Sequence, residues 1–407
     1  MEEHMNYSKD EVIQFANEED VKFIRLAFCD VFGKLKNISI MPSELERAFS
    51  EGIAFDASAI PGFGDESRSD LFLHPEAGTL MPLPWRPEQG RVVQMFSNIT
   101  YPDGTPFECD TRNILKEAIK KAAEAGITFY IGSELEFYLF KLDDEGKQTD
   151  IPCDNVGYMD IGPEDKGENV RREICLTLEQ MGIYPESSHH EEGPGQNEVD
   201  FRSSDALTAA DNAVTFQRVV KTIANRNGLY ADFSAKPLEK LPGNGFHINM
   251  SILPYPGIET FNEMIAGVLR HVNDMTVFMN PNENSYLRLG KRKAPGYISW
   301  SRENRSQLVR IPAATGDYRR MELRSPDPTA NPYLAFALMI YAALDGIKHK
   351  MILPPSSDIN LYKVAPDILA GFDRLPETLD AARYAALESE FVNEHIPSRI
   401  IYIYCKR

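Results

Sequence analysis

Several shortages in this 407-residue sequence narrow what it can be. Basic charge is short: 43 Lys and Arg stand against 61 Asp and Glu, a formal net charge of −18. Nucleic acid and anionic membrane surfaces need a basic footprint, so neither is expected as a partner. Small anionic substrates stay open, because a local arginine cluster or bound cations can override the global field. No apolar run approaches the roughly 20 residues that cross a bilayer. Cysteine is sparse and scattered at Cys29, Cys109, Cys153, Cys175 and Cys405, with no CxxC spacing. That pattern predicts free thiols in a reducing compartment. The first residues, MEEHMNYSKDEV, are acidic and polar and do not read as a signal peptide. The expected location is the cytoplasm. There is no internal repeat and no low-complexity segment.

What is present is ordinary globular material, with hydrophobic residues at 43%. At roughly 150 residues per domain, the length suggests two or three domains, or one large domain with an appendage. Residues 1–100 read as mixed β and α: strands at 21–28 and 35–40 around a turn at 30–33, a helix at 43–50, and a glycine-containing loop at 55–70. YPDG at 101–104 is a turn signal and the expected boundary. Residues 101–407 alternate helices (110–126, 169–181, 207–227, 258–279, 332–348) with strands (128–140, 195–201, 245–252, 318–324). Hairpin signals are few, which predicts an antiparallel or mixed sheet backed by helices.

The chemistry sits in the strand alternation, since residues i and i+2 share a face. In 128–140, Ile131, Leu135, Phe137 and Leu139 face one way, and Glu134 and Glu136 the other. Gln196, Glu198 and Asp200 share a face. His247, Asn249 and Ser251 alternate with Phe246, Ile248 and Met250. Arg320, Glu322 and Arg324 alternate with Met321 and Leu323. Glu191 lies just before the second strand. Adjacent glutamates repel unless a cation lies between them. Carboxylates with one imidazole suit Mg²⁺ or Mn²⁺ rather than zinc or copper. Arginines beside them suit carboxylate and phosphate. Taken singly, each glutamate is more often a solvated side chain and His247 more often a satisfied core histidine. Periodicity alone leaves the metal-lined and solvated readings level.

Longer motifs add to this. FDASAIPGFGDESRSD, GSELEFYLF, HHEEGPGQNEVDF, PGNGFHINMS, NENSYLRL, APGYISWSRENRSQLVRIPA and RRMELRSPDPTANPYL resemble the signatures of glutamine synthetases, in that family's order and over nearly the whole chain. The resemblance implies an α+β fold: a small N-terminal β-grasp-like domain at 1–100, and a catalytic domain at 101–407 with a mostly antiparallel curved sheet backed by helices. It implies ATP as co-substrate and two divalent ions, Mg²⁺ or Mn²⁺. Glu136, Glu191 and Glu198 fall where the family binds one ion. Glu134, His247 and Glu322 fall where it binds the other. Arg288, Arg305 and Arg324 fall at positions that hold glutamate and the transferring phosphoryl group, and Arg310 and Arg320 at phosphate-contacting positions. Glu186 and Ser251 resemble nucleotide contacts. Asp56 and Tyr158 fall at the ammonium pocket, with Asp56 acting from the adjacent subunit. The implied partners are glutamate or a similar acid, ATP, and ammonia or another amine. The implied assembly is a homo-oligomer, a hexameric ring or a stacked double ring.

The chain departs from the family pattern around the amine-accepting half. Lys293 stands where the family has a flap glutamate, in a loop about one residue shorter. Pro242 stands for an asparagine and Ala59 for a serine near the ammonium pocket. Three readings of Lys293 follow: it turns out to solvent with another acid substituting, it enters the site and changes the acceptor or acid, or the chain is a catalytically weak or non-catalytic, regulatory homologue. The sequence stops at RIIYIYCKR, where the family usually continues into a tail that clasps the opposite ring, so stacking is the less supported part of the expectation. Tyr362 resembles a tyrosine that some members adenylylate, with different flanking residues.

Overall fold

The computed structural model describes residues 7–406. The first six residues of the segment read as no signal peptide lie outside the described part. Two compact units divide the chain. One takes in the described residues up to Ile114 together with Leu176–Tyr184. The other comprises Leu115–Cys175 and the chain from Pro185 onward.

The first unit is built on a six-stranded mixed sheet. Its strands are β1 (Val21–Cys29), β2 (Leu35–Ile40), β3 (Ile53–Asp56), β4 (Asp70–Pro75), β5 (Met81–Pro82) and β6 (Arg91–Thr100). The order is β2-β1-β6-β4-β3, with β5 also on β6. β1 and β6 run parallel, and the other pairs are antiparallel. The turn expected at 30–33 forms because the Asp30 carboxylate accepts from the Phe32 and Lys34 amides, and Gly33 takes a φ of 75° that a side chain would resist. The helix expected at 43–50 is a 3₁₀ turn, Pro42–Glu44, running into Leu45–Ser50.

The second unit centres on a ten-stranded sheet. Its strands are β7 (Phe129–Leu142), β8 (Gln148–Pro152), β9 (Pro185–His190), β10 (Gln196–Phe201), β11 (Ser204–Asp205), β12 (Leu229–Asp232), β13 (Phe246–Ile252), β14 (Trp300–Arg302), β15 (Val309–Ile311) and β16 (Met321–Leu323). The order is β14-β15-β16-β13-β7-β10-β9, with β8, β11 and β12 also on β7. Every pair is antiparallel except β14 with β15.

The apolar face of this sheet meets helices. Phe137 lies against Phe216 of the helix Ala206–Arg226, and Phe246 against Phe336 of the helix Pro332–Lys348. Leu135, Phe137, Leu139, Ile248, Met250 and Leu323 are fully buried. Each such side chain contributes about 1.5–3 kcal/mol through burial. The helix Ile258–Met279 packs on Pro332–Lys348 where glycine meets glycine. A Cβ on Gly267 would sit 2.0 Å from the Ala342 carbonyl oxygen, and one on Gly346 would sit 2.1 Å from that of Glu263.

The α+β architecture and the antiparallel character agree with expectation. Two helices, Ile258–Met279 and Pro332–Lys348, match to the residue. The strand expected at 318–324 shrinks to Met321–Leu323, because Gly316–Tyr318 forms a 3₁₀ turn and pairing with β13 spans only three residues. Sequence reading left β6, β9 and the helices Leu379–Glu388, Glu390–His395 and Ser398–Cys405 unassigned. All five cysteines are unbridged. Among the described residues no helix is long and apolar enough to cross a membrane.

Candidate active site

β7 presents Glu134 and Glu136 opposite its core-facing residues, and strand register extends them into rows. Glu136 pairs with Glu198 on β10, and Glu198 with His189 on β9. Glu134 lies between Asp200 on β10 and His247 on β13. Asn249 on β13 pairs with Glu322 on β16, which pairs with Arg310 on β15. Like charges directly opposite one another destabilise a sheet.

The rows gather into two clusters. In one, ligand-capable atoms of Glu134, His247 and Glu322 all lie within 4.8 Å of one another. His247 Nδ1 is 3.1 Å from Glu134 Oε2, and Asn249 Nδ2 donates to Glu134 Oε1 at 2.8 Å. Burial opposes ionisation of Glu134, but His247 and Asn249 outweigh it and hold the carboxyl down at about 2. Glu322 is fully buried and receives Arg310 at 2.6 Å and Arg324. Arg320 donates to Asn249 Oδ1 at 3.0 Å, and Ser251 is buried on the same strand.

The other cluster joins His189, Glu191 and Glu198 within the same 4.8 Å limit. Glu136 faces Glu198 and accepts from the Gly245 amide at 2.8 Å and from Gln196 at 3.2 Å. A Cβ on Gly245 would meet His247 Nε2 at 2.7 Å, so a side chain here would displace the imidazole. Burial, and then the charges of Asp200, Glu136, Glu134 and Glu191, push the Glu198 carboxyl well up. Burial and Glu134 push Asp200 up to about 6, and its Oδ1 is buried without a hydrogen-bond partner.

Lys293 enters this cluster. Its Nζ lies 2.7 Å from Glu191 Oε2 and 3.6 Å from Glu192 Oε1, and 4.9 Å from the centre of the Tyr158 ring. Burial disfavours the ammonium, but Glu191 raises its affinity for the proton above the ordinary lysine range. In turn His189 and Lys293 hold Glu191 down against burial. Of the two directions open to Lys293, the structure takes the inward one. Tyr158 meets the edge of His189 at 5.4 Å.

A third cluster, Asp154, Asp165 and His190, is consumed by its own bonds. His190 Nε2 is 3.0 Å from Asp154, Arg171 pairs with Asp165 at 2.5 Å, and His190 Nδ1 is 2.7 Å from the Glu191 carbonyl. The His190 carbonyl also accepts from the Met159 amide at 2.9 Å. This cluster fixes the backbone of Glu191 and the segment carrying Tyr158.

The remaining expected residues scatter. Arg288 is buried and donates to the Ser325 and Arg324 carbonyls at 2.7 and 3.3 Å. Arg305 is exposed; burial and then Glu191 push the Tyr158 phenol up, and the charges of Lys293 and Arg305 offset part of that rise. Glu186 is exposed and is the residue skipped where Asp200 pairs with Ser187 but Phe201 with Pro185. Asp56 ends β3 in the first unit, exposed, accepting from the Ser58 amide at 2.9 Å. The Pro242 carbonyl accepts from Tyr138 at 2.8 Å. Sequence reading missed His189 and the site role of Asp200. HHEE placed His189 two residues before Glu191, but the register that sets it against Glu198 was not legible.

Divalent cations fit these residues. The donors are carboxylate oxygens with imidazole nitrogens, the set that hard cations accept. Glu198 and Asp200 are buried among like charges, and Lys293 neutralises only the Glu191 edge.

Comparison with known proteins gives one family. Residues 20–102 match the profile described as "Glutamine synthetase, beta-Grasp domain", and residues 108–407 that described as "Glutamine synthetase, catalytic domain". The glutamine synthetases of Clostridium saccharobutylicum and Staphylococcus aureus (strain MW2) are each 42% identical to this chain, over 97% of it and 92% of theirs. Among solved structures, a GmaS/ADP complex superposes with a TM-score of 0.87 at 28% identity, covering 97% of this chain and 94% of that one. An apo GmaS gives a TM-score of 0.86. Profiles that together span almost the whole chain, and relatives this similar over their length, make this protein a member of the glutamine synthetase family.

Proposed function

We propose that this protein is an ATP-dependent ligase that joins the γ-carboxyl of glutamate, or of a closely similar acid, to an amine through γ-glutamyl phosphate. One observation carries the proposal: two carboxylate–imidazole clusters share one face of the sheet, with Arg310 and Arg324 both on Glu322. In this reading Glu136, Glu191 and Glu198 hold one Mg²⁺ or Mn²⁺, and Glu134, His247 and Glu322 the other. When bound, the ions would neutralise and orient the ATP phosphates. Arg310 and Arg320 contact phosphate, and Ser251 and Glu186 the nucleotide. Arg288, Arg305 and Arg324 grip the acid's carboxylate and the transferring phosphoryl group, where planar guanidinium recognises both.

In the first half-reaction a γ-carboxylate oxygen attacks the γ-phosphorus, and ADP leaves. In the second, the amine's lone pair attacks the acyl carbon, and phosphate leaves. Asp56, reaching in from the neighbouring subunit of a hexameric ring or stacked double ring, attracts the amine with Tyr158 and takes its proton. The acyl phosphate must be shielded from water meanwhile. The division into an N-terminal domain at 1–100 and a catalytic domain at 101–407 belongs to this proposal, as does a cytoplasmic location.

Ammonia is the first acceptor to consider. A different amine is favoured by the Lys293–Glu191 contact, which puts an ammonium beside the carboxylates that would otherwise attract NH₄⁺. The test is phosphate release with ATP, Mg²⁺ and glutamate across a panel of amines. Release that requires glutamate, metal and an amine supports the ligase, and the best amine identifies the acceptor. Release that ignores both glutamate and amine sinks it.

A further inference from the structure

In a chain of net charge −18, the stretch Arg288–Lys293 carries four cations in six residues. With Lys236 it lines one cleft, which Glu136 and Gly243 also border. These cations are unequally matched. Lys293 reaches Glu191 and Glu192, and Arg292 reaches Glu192 at 3.1 Å. Arg288 has only carbonyls, and Lys236 donates to the Leu241 carbonyl at 2.5 Å. Among the described residues, no carboxylate lies within ion-pair distance of Lys236, Arg288 or Lys291. Burial, and then the charges of Lys291 and Arg288, hold the Lys236 ammonium below its ordinary range. Lys236, Arg288 and Lys291 are thus gathered without a carboxylate in ion-pair reach, with Glu136 the one acidic residue lining the cleft.

The ligase reading uses one of these cations, Arg288, for the acid's own carboxylate. Four remain along the flap side of the cleft, and Lys293 reaches over Tyr158, where the incoming amine is proposed to arrive. We infer that the acceptor is an amine that itself bears a carboxylate, an amino acid in the broad sense, with its carboxylate received by Lys291, Lys293 and Lys236. The inference rests on the ligase reading and names that reading's acceptor class. A zwitterionic acceptor brings its carboxylate to the lysines and its nitrogen to the acyl carbon. A plain ammonium brings only charge of the sign already in excess there.

The experiment uses the full-length protein with ATP, Mg²⁺ and glutamate. Acceptors come in pairs matched in shape and basicity, 4-aminobutyrate with butylamine and 5-aminopentanoate with pentylamine. The expected result is a kcat/KM at least about tenfold higher for the carboxylated member of each pair. Lys291→Gln and Lys236→Gln should each shrink that ratio several-fold, through KM. Lys291 is exposed, so its substitution should leave folding intact. A ratio at or below one in the wild type, or a ratio neither variant changes, overturns the inference. So does a preference for an acid carrying one more carboxylate than glutamate while plain amines are accepted. Glutamate-dependent scrambling of ¹⁸O within ATP, measured without any amine, separates the two failures. Scrambling with no carboxylate preference rejects the acceptor class and keeps the ligase. No scrambling rejects both.

Discussion

Replacing Lys293 with Met should tighten divalent-cation binding. The ammonium stands 2.7 Å from Glu191 Oε2, on a carboxylate only 4% exposed, and must yield it before a cation can take that oxygen. A hydrogen bond between charged groups contributes about 1.5–3 kcal/mol net. Lys293 is itself about a third exposed, which places the effect near the middle of that range. At about 1.4 kcal/mol per factor of ten, some 2 kcal/mol corresponds to a Kd about 30-fold lower. Calorimetric titration of Mn²⁺ into wild type and Lys293→Met, without substrates, reads this directly. Lys293→Arg should stay near wild type, and Glu191→Gln should erase the gain in the double variant. Unchanged or weaker binding in Lys293→Met would refute the competition, because among the described residues only His189 and the Glu192 amide otherwise engage the Glu191 carboxylate.

Three further outcomes are expected. Burial alone would lower the affinity of His271 for a proton, but Asp274 and Asp345 raise it above the ordinary 6.5. Its stabilising charge is therefore fully present below pH 6.5 and lost as pH rises through the raised value, so melting temperature should fall across that window in wild type and less in His271→Gln. Asp200 is pushed up from 3.8 to about 6, so its ionisation costs stability increasingly between those values and fully above them. Asp200→Asn should stabilise the metal-free protein at pH 7.5 by about 1–3 kcal/mol in urea unfolding, and saturating Mg²⁺ should narrow the difference. Gly267→Ala places a Cβ 2.0 Å from the Ala342 carbonyl oxygen and should cost about 1–3 kcal/mol or more, since the obstacle is backbone; an unchanged melting temperature would show that the two helices can part freely.

The sequence made the carboxylate strands legible because alternation is a short-range signal. Glu134 and Glu136, or His247 and Asn249, fall on one face whatever pairs beside them. Which strand lies beside which is a long-range property. That is why His189 was missed: β9 reads PESSHH, with no apolar alternation to mark a strand, and its value appears only when Glu198 stands opposite. β6 was passed over for the opposite reason, since RVVQMFSNIT is buried along most of its length and alternates little. Lys293 showed a third limit. Its charge was visible, but its direction depends on a loop that gives it a φ of 67°, a conformation the neighbouring residues do not announce.

The rows across β9, β10, β7, β13 and β16 also bear on how the chain finds its fold. Side chains repeat every second residue, so a strand displaced by one position exchanges its two faces. For β7 such a slip would bring Glu134 and Glu136 toward Phe216 and push Leu135 and Phe137 among the carboxylates. The same residues that would hold the ions thus act as a proofreading mark during assembly. A sheet threaded out of step loses its oily interior and buries bare charge in one stroke, so errors of threading should be short-lived.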